Sequence, residues 1–110
     1  MFTEGMHMDP SELLNVTVTS EGHIAIDGEL DMATAPFLEK ALVEMTGSLR
    51  LDLRKVTFID AAGVGALVRC SEHCQADGSS FRIEAWSRPV ERVLRIVRLY
   101  DALTSGASIG

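Results

Sequence analysis

The segment that runs from Leu49 into a helix after Asp60 constrains the fold more than any other part of the chain. Leucines at alternate positions from Leu49 are followed by an apolar stretch that includes Phe58 and Ile59. This pattern predicts a well-buried strand at the centre of a sheet. Asp60 comes next, and its carboxylate can accept the free N–H groups of a helix start. The helix is predicted to run to about Ala76, so a buried strand passes directly into a helix.

Two further strands are predicted before this segment. Leu14, Val16 and Val18 alternate with polar residues, which is the period of a strand with one buried face. Ile24 and Ile26 repeat the pattern after a Glu-Gly turn. Because the gap between the two runs is so short, we expect an antiparallel hairpin.

Helices and one more strand account for the rest of the pattern. Thr34 can cap a helix whose first turn accepts Pro36, and Gly47 ends that helix. A strand around Ile83 precedes a last helix, which is followed by a short helical turn over 99–103. The apolar side of the last helix is predicted to consist of Val90, Val93, Leu94 and Val97.

The predicted order is β-β-α-β-α-β-α, which is an α/β fold with a mixed four- to five-stranded sheet and helices packed on it. A length of 110 residues suits one hydrophobic core and therefore one domain. We expect this domain to cover residues 11–104. Residues 1–10 lack a periodic apolar pattern and are predicted to be a flexible leader, and residues 105–110 a flexible tail.

Charge and hydropathy exclude several classes of partner. The formal net charge of -6 argues against nucleic acid, whose phosphates require clustered Lys and Arg. No apolar stretch approaches the roughly 20 residues that span a bilayer, and the N-terminus does not resemble a secretory signal. We therefore expect a cytoplasmic protein without membrane insertion. No nucleophile motif, metal cluster or phosphate loop is evident, which predicts a protein that is no enzyme and has no cofactor and no metal.

Cys70, His73 and Cys74 are separated by three and four residues, so a helix would place them on neighbouring positions of one face. They could supply soft metal ligands or a redox-sensitive surface. The favoured interpretation is that both cysteines extend the apolar stripe of the helix into the core, with His73 at its edge. A fourth metal ligand is not evident.

The turn from Asp60 to Gly65 allows two interpretations from spacing alone. A helix start with free N–H groups can hold an anion or display a modifiable hydroxyl. The interpretation that spacing alone favours is a capped, glycine-assisted turn with no further role, and Asp60 would repel an anion.

Three blocks of the sequence, taken together, resemble the STAS domains of anti-sigma-factor antagonists. They are Ile26-Asp27-Gly28-Glu29-Leu30-Asp31, the run from Leu51 to Asp60, and Gly63-Val64-Gly65-Ala66-Leu67. The resemblance extends from about Leu13 to Leu103. It implies an anti-sigma-factor antagonist that binds an anti-sigma factor with a Ser/Thr kinase fold and thereby regulates transcription.

The resemblance also implies a phosphorylated hydroxyl directly after Asp60. This chain has Ala61 and Ala62 there, so the usual phosphorylation cannot occur at this position. The partner-binding residues that the resemblance predicts are Asp31, Thr34, Asp60, Ala61, Ala62, Gly63, Val64 and Gly65. The alternative function is a non-catalytic subunit of a larger assembly, such as a lipid-transport complex or a signalling scaffold. A homodimer also remains open.

Overall fold

The computed structural model describes residues 13–105, so the predicted leader and residues 106–110 of the predicted tail lie outside the described residues. Eight elements follow one another: β1 Leu14–Ser20, β2 His23–Leu30, α1 Ala35–Val43, β3 Leu49–Ile59, α2 Ala61–Ala76, β4 Phe81–Trp86, α3 Arg88–Ile96 and α4 Tyr100–Ser105. The predicted order is confirmed. Ser105, the first residue of the predicted tail, is the last residue of α4. Within residues 13–105, no helix has the length and apolar character that a membrane span requires.

One four-stranded sheet, in the order β1-β2-β3-β4, forms the centre of the fold. The β1–β2 hairpin is antiparallel, whereas β2, β3 and β4 run parallel. The predicted mixed sheet and the central place of β3 are therefore confirmed. A parallel pair needs a crossover connection, and α1 and α2 provide the two that this sheet requires.

The helices cover one face of the sheet and leave the other open. Along β3, Leu49, Leu51 and Leu53 are fully buried, whereas the residues between them are more exposed. Buried residues from all four strands and all four helices form one hydrophobic core. The face that carries Arg50, Asp52 and Arg54 is consequently the open face of the sheet, a name used for it below.

Three apolar residues predicted to be buried are exposed instead. Val18, 57% exposed, lies near the end of edge strand β1, where its pairing with β2 shifts register. Phe58, 48% exposed, follows an extra residue in β3, because Gly28 pairs with Val56 but Glu29 pairs with Phe58. This irregularity interrupts the alternation of faces.

Val97 is the third of these residues, and its position explains its exposure. It is the C-cap of α3 rather than a helical residue, and the chain turns away at Arg98, whose φ is 63°. Val90 and Leu94 of the same predicted stripe are fully buried, and Val93 packs partly buried against the core. The apolar stripe is therefore shorter than the sequence predicts.

Candidate functional site

Asp31 and Asp60 lie at the same edge of the sheet. Each follows the last residue of a parallel strand, Leu30 in β2 and Ile59 in β3, and these two residues are paired. The backbone N–H of Asp60 donates a hydrogen bond to the carbonyl of Leu30 at 3.1 Å, which joins the two strand ends. The structure thus brings together two acidic residues that are 29 positions apart in the sequence.

The loop between β2 and α1 is held by Asp31 and Thr34. One carboxylate oxygen of Asp31 accepts hydrogen bonds from the N–H groups of Ala33 and Thr34, both at 3.0 Å. The fully buried Thr34 hydroxyl donates to the carbonyl of Glu29 at 2.6 Å and accepts from the N–H of Asp31 at 3.0 Å.

The prediction that Thr34 caps α1 is wrong for its side chain. Thr34 occupies the N-cap position of α1, but its side chain makes no capping hydrogen bond to that helix. Its hydroxyl is directed back to the end of β2, where it donates to one backbone group and accepts from another. Thr34 therefore stabilises the Asp31 loop through buried hydrogen bonds to its backbone. Because Thr34 is buried, its side chain presents no surface to a partner.

Asp60 caps α2 as predicted. Its backbone is extended, with φ -124° and ψ -171°, and its carboxylate accepts the N–H of Gly63 at 3.0 Å. Such a contact satisfies one of the free N–H groups at the helix start. Asp60 is half-buried.

Gly63 sets how closely α2 approaches β2. A Cβ atom at this position would overlap the carbonyl oxygen of Leu30 and would lie 2.9 Å from the Leu30 Cβ. No L-residue with a side chain fits without displacement of one element. Gly63 and the buried Val64 therefore serve packing, while their predicted partner contact stays a prediction.

The first turn of α2 exposes its residues unequally. Ala61 is exposed, Ala62 is half-buried, and Gly65 is half-buried beneath the guanidinium of Arg69. Neither alanine has a hydroxyl, so the exposed start of α2 offers no phosphoryl acceptor at 61 or 62.

Sequence reasoning missed two exposed apolar residues at this edge. Met32, next to Asp31, is 78% exposed, and Phe58, two residues before Asp60, is 48% exposed. The signal for Phe58 was present, since the apolar positions Val56 and Ile59 are three apart and break the strand period. Met32 lies in a polar loop and carries no periodic signal.

The two cysteines of α2 belong to the core, as predicted. Cys70 and Cys74 are 2% and 4% exposed. Burial raises the pKa of the Cys70 thiol to about 12, and burial also raises the pKa of Cys74. His73 lies outside this pair, with its Nε2 3.8 Å from a carboxylate oxygen of Asp77. Among residues 13–105 no group of His, Cys, Asp and Glu is arranged to hold a metal ion.

Comparison with known proteins identifies the family. The family model described as "Mlab, STAS domain" matches residues 16–105. The chain belongs to the STAS domain family. The match covers every element of the fold except the first residues of β1, and it includes both sides of the Asp31–Asp60 edge.

Curated relatives of this STAS domain are named anti-sigma-B factor antagonists. The protein from Bacillus subtilis (strain 168) is 31% identical over 87 residues, which cover 76% of this chain and 80% of the relative. The protein from Staphylococcus aureus (strain NCTC 8325 / PS 47) is 27% identical over 97 residues, which cover 82% of this chain and 90% of the relative.

Solved structures agree on the fold. The anti-sigma factor antagonist SpoIIAA in its unphosphorylated form has a TM-score of 0.64 at 17% identity, covering 79% of this chain and 82% of that one. The Bacillus cell fate determinant SpoIIAA in its phosphorylated form has a TM-score of 0.62 at 14% identity, covering 86% and 91%. These identities support the STAS fold of this chain and nothing finer.

Proposed function

We propose that this STAS domain is an anti-sigma-factor antagonist that acts by binding rather than by catalysis. The observation that carries the proposal is the Asp31–Asp60 edge, where the exposed residues Met32 and Phe58 are one and two positions from these aspartates in the chain. Exposed apolar groups beside charged ones are typical of protein-binding surfaces. We call the surface formed by Asp31, Met32, Phe58, Asp60 and Ala61 the acidic edge.

The proposed partner is an anti-sigma factor with a Ser/Thr kinase fold. Support comes from the names of the curated relatives and from the start of α2, the element at which the family resemblance expects phosphorylation. A regulator of sigma-factor availability acts where transcription takes place, so we propose a cytoplasmic location. Ala61 and Ala62 leave the usual acceptor position without an oxygen. A kinase-fold partner would therefore bind this chain without ending the interaction by phosphorylation at positions 61 and 62.

Calorimetric titration tests the binding surface. The probe is a purified kinase-fold anti-sigma factor encoded by the same genome, titrated with the wild-type chain and with Phe58→Ser. We expect the substitution to weaken binding about tenfold or more, because buried aromatic residues dominate interface energetics. Val43→Ser is the matched control, since Val43 is 39% exposed at the far end of α1. Unchanged affinity in Phe58→Ser, or no binding by any such factor, contradicts the proposal.

Phosphorylation is tested with the same partner, Mg²⁺ and ATP. Mass spectrometry should find no phosphate on residues 60–65 of the wild type. Ala61→Ser introduces an exposed hydroxyl at the start of α2, and we expect it to acquire phosphate and to lose affinity. Phosphate elsewhere on the wild-type chain would contradict the proposal that phosphorylation does not regulate this interaction.

A non-catalytic subunit of a larger assembly is the second candidate. The absence of a hydroxyl at 61 and 62 favours it, because no kinase relationship then constrains the start of α2. Affinity purification from the source cells separates the two functions. Recovery of a kinase-fold anti-sigma factor supports the first, and recovery of transport or scaffold subunits alone supports the second.

A further inference from the structure

Three basic side chains form a row across the open face of the sheet. His23 of β2 pairs with Arg50 of β3, and Arg50 pairs in turn with Arg82 of β4. The neighbours of Arg50 and Arg82 along each strand are buried in the core, so both arginine side chains project to the open face. We call these three residues the cationic row.

Neither arginine of the cationic row is neutralised by a neighbouring carboxylate. Within residues 13–105, no carboxylate oxygen lies within 4.0 Å of either guanidinium, although Arg54 on the same face is paired with Asp52 at 2.7 Å. His23 of β2 is 4.0 Å from Glu84 of β4, so these two side chains approach each other over β3. Two half-buried arginines therefore occupy paired positions in a chain with a net charge of -6.

This arrangement is unfavourable without a ligand. Like charges directly opposite on neighbouring strands destabilise a sheet. The Nε atom of Arg82 is also buried without a hydrogen-bond partner, which is costly for a charged donor. A rotation of the guanidinium toward an anion on the open face would give this N–H an acceptor.

We propose that Arg50 and Arg82 bind a phosphate group on the open face of the sheet. Adjacent strands are about 4.8 Å apart, so two guanidinium groups on paired residues can converge on one tetrahedral anion. The forked donors of arginine match phosphate oxygens in pairs.

The site is separate from the acidic edge. His23 and Arg50 are the first and second residues of their strands, and Arg82 is the second residue of β4. Since β2, β3 and β4 are parallel, these positions lie at the edge opposite to Asp31 and Asp60. Phosphate binding and anti-sigma-factor binding can therefore fail independently.

NMR titration of the full chain with inorganic phosphate, at constant ionic strength, tests the proposal. We expect saturable shifts at the amides of residues 23, 50 and 82, with a dissociation constant in the millimolar range. Arg82→Gln and Arg50→Gln should each weaken binding about tenfold, as loss of a charge-assisted pair does. Arg82→Lys should recover only part of the affinity, because lysine lacks the fork.

Arg54→Gln is the matched control, since Arg54 is an arginine of the same face that already has a carboxylate partner; its affinity should stay within twofold of wild type. O-phosphoserine as a second probe distinguishes the source of the phosphate. Tighter binding of the ester identifies a phosphate ester as the ligand, and equal binding identifies the free ion.

The proposal is overturned if no saturable shift occurs, or if the shifts survive in the variants of both arginines. Shifts centred on the exposed arginines of α3 would overturn it as well, because they would report a general basic surface. Circular dichroism checks that each variant is folded. If Arg82→Gln does not fold, the binding result for Arg50→Gln decides the outcome.

Discussion

Gly63 illustrates how one residue without a side chain determines the position of an element. Its Cα faces the end of β2 so closely that a Cβ would overlap the Leu30 carbonyl. The same contact brings the start of α2, with Asp60 and Ala61, beside the Asp31 loop. The geometry of the acidic edge therefore depends on a residue that has no functional group.

Gly63→Ala should destabilise the fold by about 1–3 kcal/mol, because the added methyl must displace backbone. Gly65→Ala in the same helix is the control. Its Cβ would meet only the guanidinium of Arg69, a surface side chain paired with Glu39, and the change should be neutral or stabilise by up to about 1 kcal/mol. Urea unfolding of both variants checks the difference, and equal stabilities would contradict the packing argument.

Thr34→Val should cost about 1–3 kcal/mol. The substitution keeps the shape of the side chain but leaves the Asp31 N–H and the Glu29 carbonyl without their buried partner. Thr57→Val is the matched control, since the Thr57 hydroxyl is exposed and 3.4 Å from its acceptor. Denaturant unfolding should show almost no effect for Thr57→Val, and a similar loss in both variants would contradict the assigned role of Thr34.

At the scale of elements, α2 contributes both to the acidic edge and to the core. Its first turn forms part of the acidic edge, while Leu67, Cys70 and Cys74 are buried in the core. Burial favours the neutral thiol, so the pKa of Cys70 is higher in the folded chain than in the unfolded chain. The unfolded chain consequently loses this proton first as the pH rises. The contribution of the thiol to stability is fully present below its ordinary pKa and is lost as the pH rises toward the raised pKa.

We expect the free energy of unfolding to decline as the pH rises from about 9 toward 12. Cys70→Ala removes this titration and should give a shallower decline, although it lowers stability at pH 7 by opening a cavity. Urea unfolding at a series of pH values measures both effects. A parallel decline in wild type and variant would show that Cys70 does not contribute.

At the scale of the whole molecule, helix α4 completes the core. Leu103 of α4 is fully buried, and the Tyr100 ring packs edge-on against Trp86 of β4, with centroids 5.3 Å apart. The guanidinium of Arg95 lies 3.9 Å from the centre of the Tyr100 ring. These contacts join β4, α3 and α4, so a short terminal helix becomes part of the single core.

Leu103→Ala should therefore destabilise the whole domain by about 2–5 kcal/mol, which is typical of a buried leucine. Ile96→Ala is the control, because Ile96 is 72% exposed and its truncation should cost less than about 0.5 kcal/mol. Thermal unfolding of both variants is the measurement. A loss confined to local fraying of α4, with the melting temperature unchanged, would contradict a shared core.

The sequence alone predicted the order of the elements, the central position of β3 and the cap at Asp60, because hydrophobic period and capping chemistry act over a few neighbouring residues. The exposure of Phe58 was signalled only by the three-residue spacing from Val56 to Ile59. The exposure of Val18 and Val97 was not predictable in that way, because it depends on the register shift of an edge strand and on the end of a helix, which arise only when strands and helices pack.

Tertiary structure alone decided where distant residues meet. Parallel pairing of β2, β3 and β4 places Asp31 beside Asp60 at one edge of the sheet, and the same pairing aligns Arg50 with Arg82 at the other. The local sequence pattern does not specify which residues of two neighbouring strands pair. The buried strand and its direct passage into α2 follow from the sequence, whereas the surfaces at the two edges follow from register.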